Sequence, residues 1–142
     1  MNNVIQLDSL YYVAPQILLE DIEVLKDLGF ERVINNRPDF ESEDQPTDNA
    51  LRAKAEALGL EYVSNPIDLS KLSKEHVEVQ SDALGVSKKT LAFCRTGTRS
   101  SVLWLLSENA KGKSSDELSA YVAGKGFDLS RCAAAMAPLL NK

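Results

Sequence analysis

The string Cys94-Arg95-Thr96-Gly97-Thr98-Arg99-Ser100 lies between the short apolar run Thr90-Leu91-Ala92-Phe93 and a longer one, Val102 to Leu106. The first has the length and β-prone composition of a strand; the second reads as a helix that is apolar on all sides and therefore central. The seven residues between them must turn from strand end to helix start. Amide N–H groups without partners and the positive end of the helix dipole favour an anion there. A thiol in that field is expected to lose its proton more easily, and the thiolate is the nucleophile. Gly97 lets the loop turn inward with its amides converging, and Arg99 offers a planar, permanently charged fork to a tetrahedral oxyanion. A cysteine that ends a strand is often only a small buried hydrophobe. Two arginines and two threonines within seven residues, however, are not required by packing.

At 142 residues the chain is expected to form one domain, residues 1–142, with one core. Its net charge of −5, without a long lysine and arginine cluster, makes nucleic acid and anionic membranes poor partners. The segment Met1 to Asp8 has neither a basic start nor an uninterrupted apolar core, so a cytoplasmic location is expected. Two cysteines, Cys94 and Cys132, cannot build a disulfide framework, and a reducing compartment suits a working thiol. With no Cys-x-x-Cys and no histidine pair, neither a metal nor another cofactor is expected.

Hydrophobic periodicity places two short strands at Val4 to Leu7 and Tyr11 to Val13, then an amphipathic helix through Ile22, Leu25 and Leu28 closed by Gly29. A strand over Arg32 to Asn35 follows, then a helix capped by Thr47 and ended by Gly59, and a strand over Leu60 to Ser64. A third helix, capped by Ser73, precedes the strand that leads into Cys94, and Ser100 to Leu140 reads as three helices. The alternation predicts an α/β fold: a mixed sheet with a parallel core flanked by helices, and a helical C-terminal part.

In such sheets the chemistry gathers beyond the carboxyl ends of the parallel strands. Asn36-Arg37-Pro38-Asp39 and Asn65-Pro66-Ile67-Asp68 are thereby brought beside the Cys94 loop. Asp68 is a candidate general acid, with a turn-capping aspartate as the alternative. Arg37 can orient the loop or an anion, or be an ordinary surface arginine. Asp39, Glu41, Glu43 and Asp44 read as a solvated acidic loop at the mouth of the site. His76, the single histidine, reads as an exposed helical residue, and Cys132 as packing on a face shared with Leu129 and Met136.

Taken with Gly29-Phe30-Glu31-Arg32-Val33-Ile34-Asn35-Asn36-Arg37-Pro38-Asp39, the Cys94 loop gives a chain that resembles the phosphatase-like domain of beta-lactamase hydrolase-like proteins. The similarity is clearest from Val4 to Leu106. It implies a fold like that of the protein tyrosine and dual-specificity phosphatases and a phosphocysteine mechanism on a small-molecule or phosphoprotein substrate. By the same resemblance Cys94 is the nucleophile, Arg99 the phosphate clamp, Ser100 the hydroxyl that eases thiolate departure and Asp68 the acid; Arg95, Thr96, Gly97 and Thr98 form the anion-binding loop. Two departures stand out. Phosphatases of that superfamily usually place five residues between cysteine and arginine and a histidine before the cysteine, whereas here the gap is four and Phe93 precedes. A Cys-Arg-x-Gly-x-Arg-Ser string is also similar to that of rhodanese-type sulfurtransferases, which carry a persulfide on the cysteine. A sulfurtransferase, or an anion-binding domain without turnover, therefore remains an alternative.

Overall fold

The computed structural model of the chain describes residues 3–141. Strands β1 (Ile5–Gln6) and β2 (Tyr11–Ala14) form an antiparallel hairpin with Ile5 opposite Val13. Its turn is held by Asp8, whose carboxylate accepts from the Leu10 and Tyr11 amides at 2.9 and 2.7 Å. The remaining pairings are parallel. Strand β5 (Thr90–Phe93) lies between β2 and β3 (Arg32–Asn35), and β4 (Glu61–Ser64) closes the far edge, giving the order β1-β2-β5-β3-β4. Every residue of β3 and β5 is buried, as expected of parallel strands covered on both faces. The expected mixed sheet with a parallel core is thus the observed one.

Helices α1 (Leu19–Asp27) and α2 (Asp48–Ala57) cover one face, packing Ile22, Leu25, Leu51 and Ala55 against Val33, Leu91 and Phe93. The other face carries α3 (Lys74–Leu84), α4 (Thr98–Ala110) and α5 (Ser115–Gly124), with Val77, Val102, Leu106, Leu118 and Val122 packed with Ile34 and Ala92. From Ser100 to Asn109 every residue of α4 is buried. This is the physical meaning of its lack of a polar face. Strand β5 therefore delivers Cys94 to the middle of the sheet's edge, and α4 starts directly behind it.

The C-terminal part is less regular than three helices. Beyond α5 the chain makes a 3₁₀ turn over Ser130–Cys132, a single turn of α-helix, α6 (Ala133–Met136), and another 3₁₀ turn over Ala137–Leu139. Pro138 has no N–H to extend α6, and Asp128 binds the Ser130 amide at 2.9 Å, so both ends tighten locally. Leu129, Cys132 and Met136 are nevertheless buried together, as their spacing predicts. Among the described residues no helix is long and apolar enough to cross a membrane.

A buried polar cluster ties these elements together just beneath the Cys94 loop. Gln80 of α3 donates to the Tyr11 hydroxyl at 2.9 Å and accepts from the amides of Asn36 and Asn65 at 3.0 and 2.8 Å. Tyr11 in turn donates to the Ser100 carbonyl at 2.9 Å, and Ser100 Oγ donates to Asn36 Oδ1 at 2.9 Å. Burial pushes the Tyr11 phenol far above its usual range. Asn36 and Asn65 follow β3 and β4 directly, so the cluster fixes the carboxyl ends of both strands against the start of α4. Buried amides of this kind cost stability unless all their partners are present. Here no buried side-chain nitrogen or oxygen among the described residues lacks one.

Candidate active site

The Cys94 amide donates to the Ala14 carbonyl at 3.4 Å, and the Arg95 carbonyl accepts from the Gln16 amide at 3.3 Å, which extends the β2 side of the sheet one step past β5. The chain then reverses at Gly97, with φ +93° and ψ −10°, and this residue is the N-cap of α4. The positive φ favours glycine. A Cβ there would also lie 3.0 Å from the Phe127 ring, so the turn requires glycine on two counts. Its result is a hydrogen bond from the Gly97 amide to Cys94 Sγ at 3.1 Å, with Cys94 fully buried. The sulfur is thereby held as the acceptor of a backbone hydrogen bond at the start of α4. Ser101 closes the turn from behind, donating from both its amide and its hydroxyl to the Gly97 carbonyl at 3.0 and 2.8 Å.

Arg99 stands on the first turn of α4, half-buried, and is held on two sides. Its Nη1 donates to Glu41 Oε2 at 2.8 Å and to the Ile67 carbonyl at 3.0 Å, and its Nη2 donates to Glu41 Oε1 at 2.8 Å. A guanidinium has five N–H groups. Three are used here, so Nε and one N–H of Nη2, the side edge of the fork, are left for an anion. The Glu41 hydrogen bond and, to a lesser degree, the nearby Cys94 sulfur raise the Arg99 pKa, while burial opposes them.

Glu41 is a correction to the sequence-based reading, which placed it in a solvated acidic loop. It bridges Arg99 and Arg37, whose Nε donates to Glu41 Oε1 at 2.9 Å. The Arg99 hydrogen bond above all, together with that of Arg37, holds its carboxyl below the usual range. Arg37 is 4% exposed, and its Nη1 donates to Gln16 Oε1 at 3.0 Å, so it is held between Glu41 and Gln16 and is no surface arginine. Of the neighbouring acids, Asp39 accepts from the Asp48 amide at the start of α2 and Asp44, in solvent, from the Ser42 hydroxyl.

Arg95 and Thr96 are exposed beside the turn, and the Thr96 and Thr98 hydroxyls are 3.0 Å apart. Asp68 is also exposed. Its Oδ1 accepts from both the amide and the hydroxyl of Ser70 at 2.9 and 2.7 Å, capping a 3₁₀ turn over Leu69–Lys71. Those hydrogen bonds, foremost that of the Ser70 hydroxyl, keep its carboxyl below the usual range, and the charge of Arg99 adds to them. The Ser100 hydroxyl, which the resemblance places next to sulfur, donates to Asn36. His76 is half-buried, with Nδ1 accepting from the Ser73 amide at 3.1 Å at the start of α3, and is not the exposed residue its charged neighbours suggest. Cys132 is buried, and burial raises its thiol pKa.

Sequence reasoning brought Asn36, Asn65 and Glu41 to the neighbourhood of the site without giving them a role, and it missed Gln80. The Asn36 and Asn65 positions carried a signal, since an amide directly follows the carboxyl end of both β3 and β4. For Glu41 only the pairing with Arg37, four residues earlier, was local; its other partner, Arg99, is 58 residues away.

The sheet order, the cysteine–glycine turn and the arginine fork define an α/β domain of the protein tyrosine phosphatase-like class. Residues 5–111 match the sequence profile of the family described as beta-lactamase hydrolase-like protein, phosphatase-like domain, and the chain belongs to that family. It is 33% identical over 105 residues to the beta-lactamase hydrolase-like protein of Xylella fastidiosa, a match covering 72% of this chain and 24% of that protein. The chain thus spans about a quarter of the length of this relative. A crystal structure of a candidate phosphatase from Neisseria meningitidis superposes with a TM-score of 0.79 at 32% identity, covering 92% of this chain and 96% of that one. TpbA of Pseudomonas aeruginosa, in a complex with phosphotyrosine, shares the fold with a TM-score of 0.70 at 15% identity, covering 94% and 81%.

The Glu41 carboxylate has a folded pKa below its unfolded value, so its stabilising contribution is complete above the unfolded pKa of about 4.3 and disappears as pH falls through the lower folded value. Thermal denaturation of Glu41→Gln against the parent is expected to show a Tm deficit at pH 7 that closes in acid. A deficit independent of pH would contradict the charge-based role.

Proposed function

We propose that this chain is a cysteine-dependent phosphatase acting through a phosphocysteine at Cys94. The observation that carries the reading is the pairing of the Gly97 amide on Cys94 Sγ with an Arg99 fork that already holds one carboxylate and keeps a second edge open beside the sulfur. A phosphoryl group placed over Sγ would meet the side edge of Arg99 and the amides at the start of α4, donors aimed at the charge that develops in transfer.

In the first step the Cys94 thiolate attacks phosphorus, the S–P bond forms and the P–O bond to the leaving group breaks. The leaving oxygen takes a proton from Asp68. Water then attacks phosphorus, its proton passes to the Asp68 carboxylate, the S–P bond breaks, and phosphate leaves with the thiolate restored. Arg95, Thr96, Gly97 and Thr98 line the cradle, Arg37 holds Glu41, and Glu41 positions Arg99. Ser100 supports the turn through Asn36 and is the hydroxyl to which the resemblance gives the easing of sulfur's departure. Nothing in this sequence of steps calls for a metal or another cofactor. The substrate is a small-molecule or protein phosphomonoester, and a reducing, cytoplasmic setting suits the thiol.

A paired assay tests the reaction class. Pure protein is given an aryl phosphate, and separately thiosulfate with cyanide, with Cys94→Ser as the blank. Phosphate release above the blank is expected, and Arg99→Lys should lose nearly as much activity as Arg99→Ala because an ammonium cannot copy the fork. Thiocyanate formation, with one added sulfur on Cys94 and no phosphate release, would replace the phosphatase by the sulfurtransferase.

The acid is tested through Ser70. If Asp68 donates the proton, kcat/KM falls as pH rises through its pKa, which the Ser70 hydroxyl holds down. Ser70→Ala should move that descending limb to higher pH, and Asp68→Asn should slow turnover of a poor leaving group about 10²-fold. An unmoved limb in Ser70→Ala would remove Asp68 from the mechanism.

A further inference from the structure

On the side of the Cys94 turn that faces the C-terminal segment lies a cavity of about 300 Å³, lined by Arg95, Thr96, Thr98, Arg99, Asp128 and Arg131 among others. Its charge is unusual for this chain. The protein carries −5 overall and has six arginines; half of them border this one cavity, against a single carboxylate.

The other three arginines have partners. Arg32 binds Glu61 and the Thr90 hydroxyl, Arg37 binds Glu41 and Gln16, and Arg52 lies 4.9 Å from the centre of the Tyr62 ring. Arg99 is held by Glu41. Arg95 and Arg131, by contrast, have no carboxylate within 4 Å among the described residues. Asp128, the opposing charge, has its Oδ1 on the Ser130 amide and interacts with Arg131 only at longer range. Two arginines without a carboxylate partner therefore border one concave space that is also lined by Arg99, Thr96 and Thr98.

We infer that this cavity is a second anion subsite, and that the substrate is a phosphomonoester carrying a further anionic group, a carboxylate or a second phosphate, held by Arg95 and Arg131 while its phosphoryl group sits over Cys94. The inference rests on the phosphatase reading for the first of the two groups. Guanidinium forks match both planar carboxylates and phosphates, and a cavity of this size accommodates such a group with a short connecting chain. Arg95 belongs to the turn itself, whereas Arg131 comes from the 3₁₀ turn before α6. The irregular C-terminal segment thus supplies one wall of the subsite.

The test uses two esters with the same reacting end, 4-(carboxymethyl)phenyl phosphate and its carboxyl methyl ester, which lacks the second charge, and a third, 4-(phosphonomethyl)phenyl phosphate, to separate a carboxylate from a phosphorus oxyanion. Equilibrium binding is measured by calorimetry on Cys94→Ser and on Cys94→Ser with Arg131→Gln. The charged probes are expected to bind Cys94→Ser about tenfold more tightly than the methyl ester, and Arg131→Gln should bring that ratio close to one. Whichever charged probe binds more tightly identifies the group the subsite takes. Equal affinities for the three probes, failure of all three to bind, or a ratio untouched by Arg131→Gln each overturn the subsite. Failure of the phosphatase reading has a different signature: the binding preference persists, but the protein with Cys94 intact releases no phosphate from any of the three.

Discussion

The hydrogen bond from the Gly97 amide to Cys94 Sγ is the contact around which the domain is arranged. It exists because β5 ends at the middle of the sheet, because Gly97 alone among nearby residues can take φ +93°, and because α4 begins at once with its free amides pointing back at the strand. Each condition comes from a different level of structure. The strand is positioned by parallel pairing on both edges, the turn by a residue without a side chain, and the helix by an apolar surface buried from Ser100 to Asn109. Phe127, packed where a Cβ of Gly97 would be, links the turn to the segment after α5.

Around this contact two polar systems divide the work. Beneath the turn, the uncharged network of Tyr11, Asn36, Asn65, Gln80 and Ser100 fixes the strand ends without placing a net charge next to the sulfur. Above it, the charged system of Arg37, Glu41 and Arg99 determines which edge of the clamp stays open. A neutral network is suited to burial, since it incurs no desolvation of charge. In the ion-paired system Glu41 and Arg99 lie closer to solvent, where the desolvation of their charges is smaller.

Much of this was legible in the sequence. The apolar run before Cys94 and the all-round apolar run after Arg99 located the strand, the turn and the buried helix, and the strand over Arg32 to Asn35 agrees with the structure residue for residue. Periodicity and caps work well where one element determines its own form. They fail where a side chain's role depends on a distant partner, as for Glu41, which looks like any acid in an acidic loop until Arg99 is placed beside it. They fail also at the C-terminus, where Leu129, Cys132 and Met136 keep helical spacing through a segment that Pro138 and the Asp128 cap divide into short turns. The relation between Asp68 and Ser70 is local and was within reach, since an aspartate two residues before a serine is a common turn cap.

The account depends on Cys94 forming a bond to phosphorus. Rapid acid quenching of the protein during turnover of an aryl phosphate, followed by peptide mass mapping, tests this directly. The expected result is a peptide containing Cys94 that carries one phosphoryl group, present early in the reaction and absent in Cys94→Ser. Sustained phosphate release with an unmodified Cys94 at every time point, or a phosphoryl group on another residue, would contradict it.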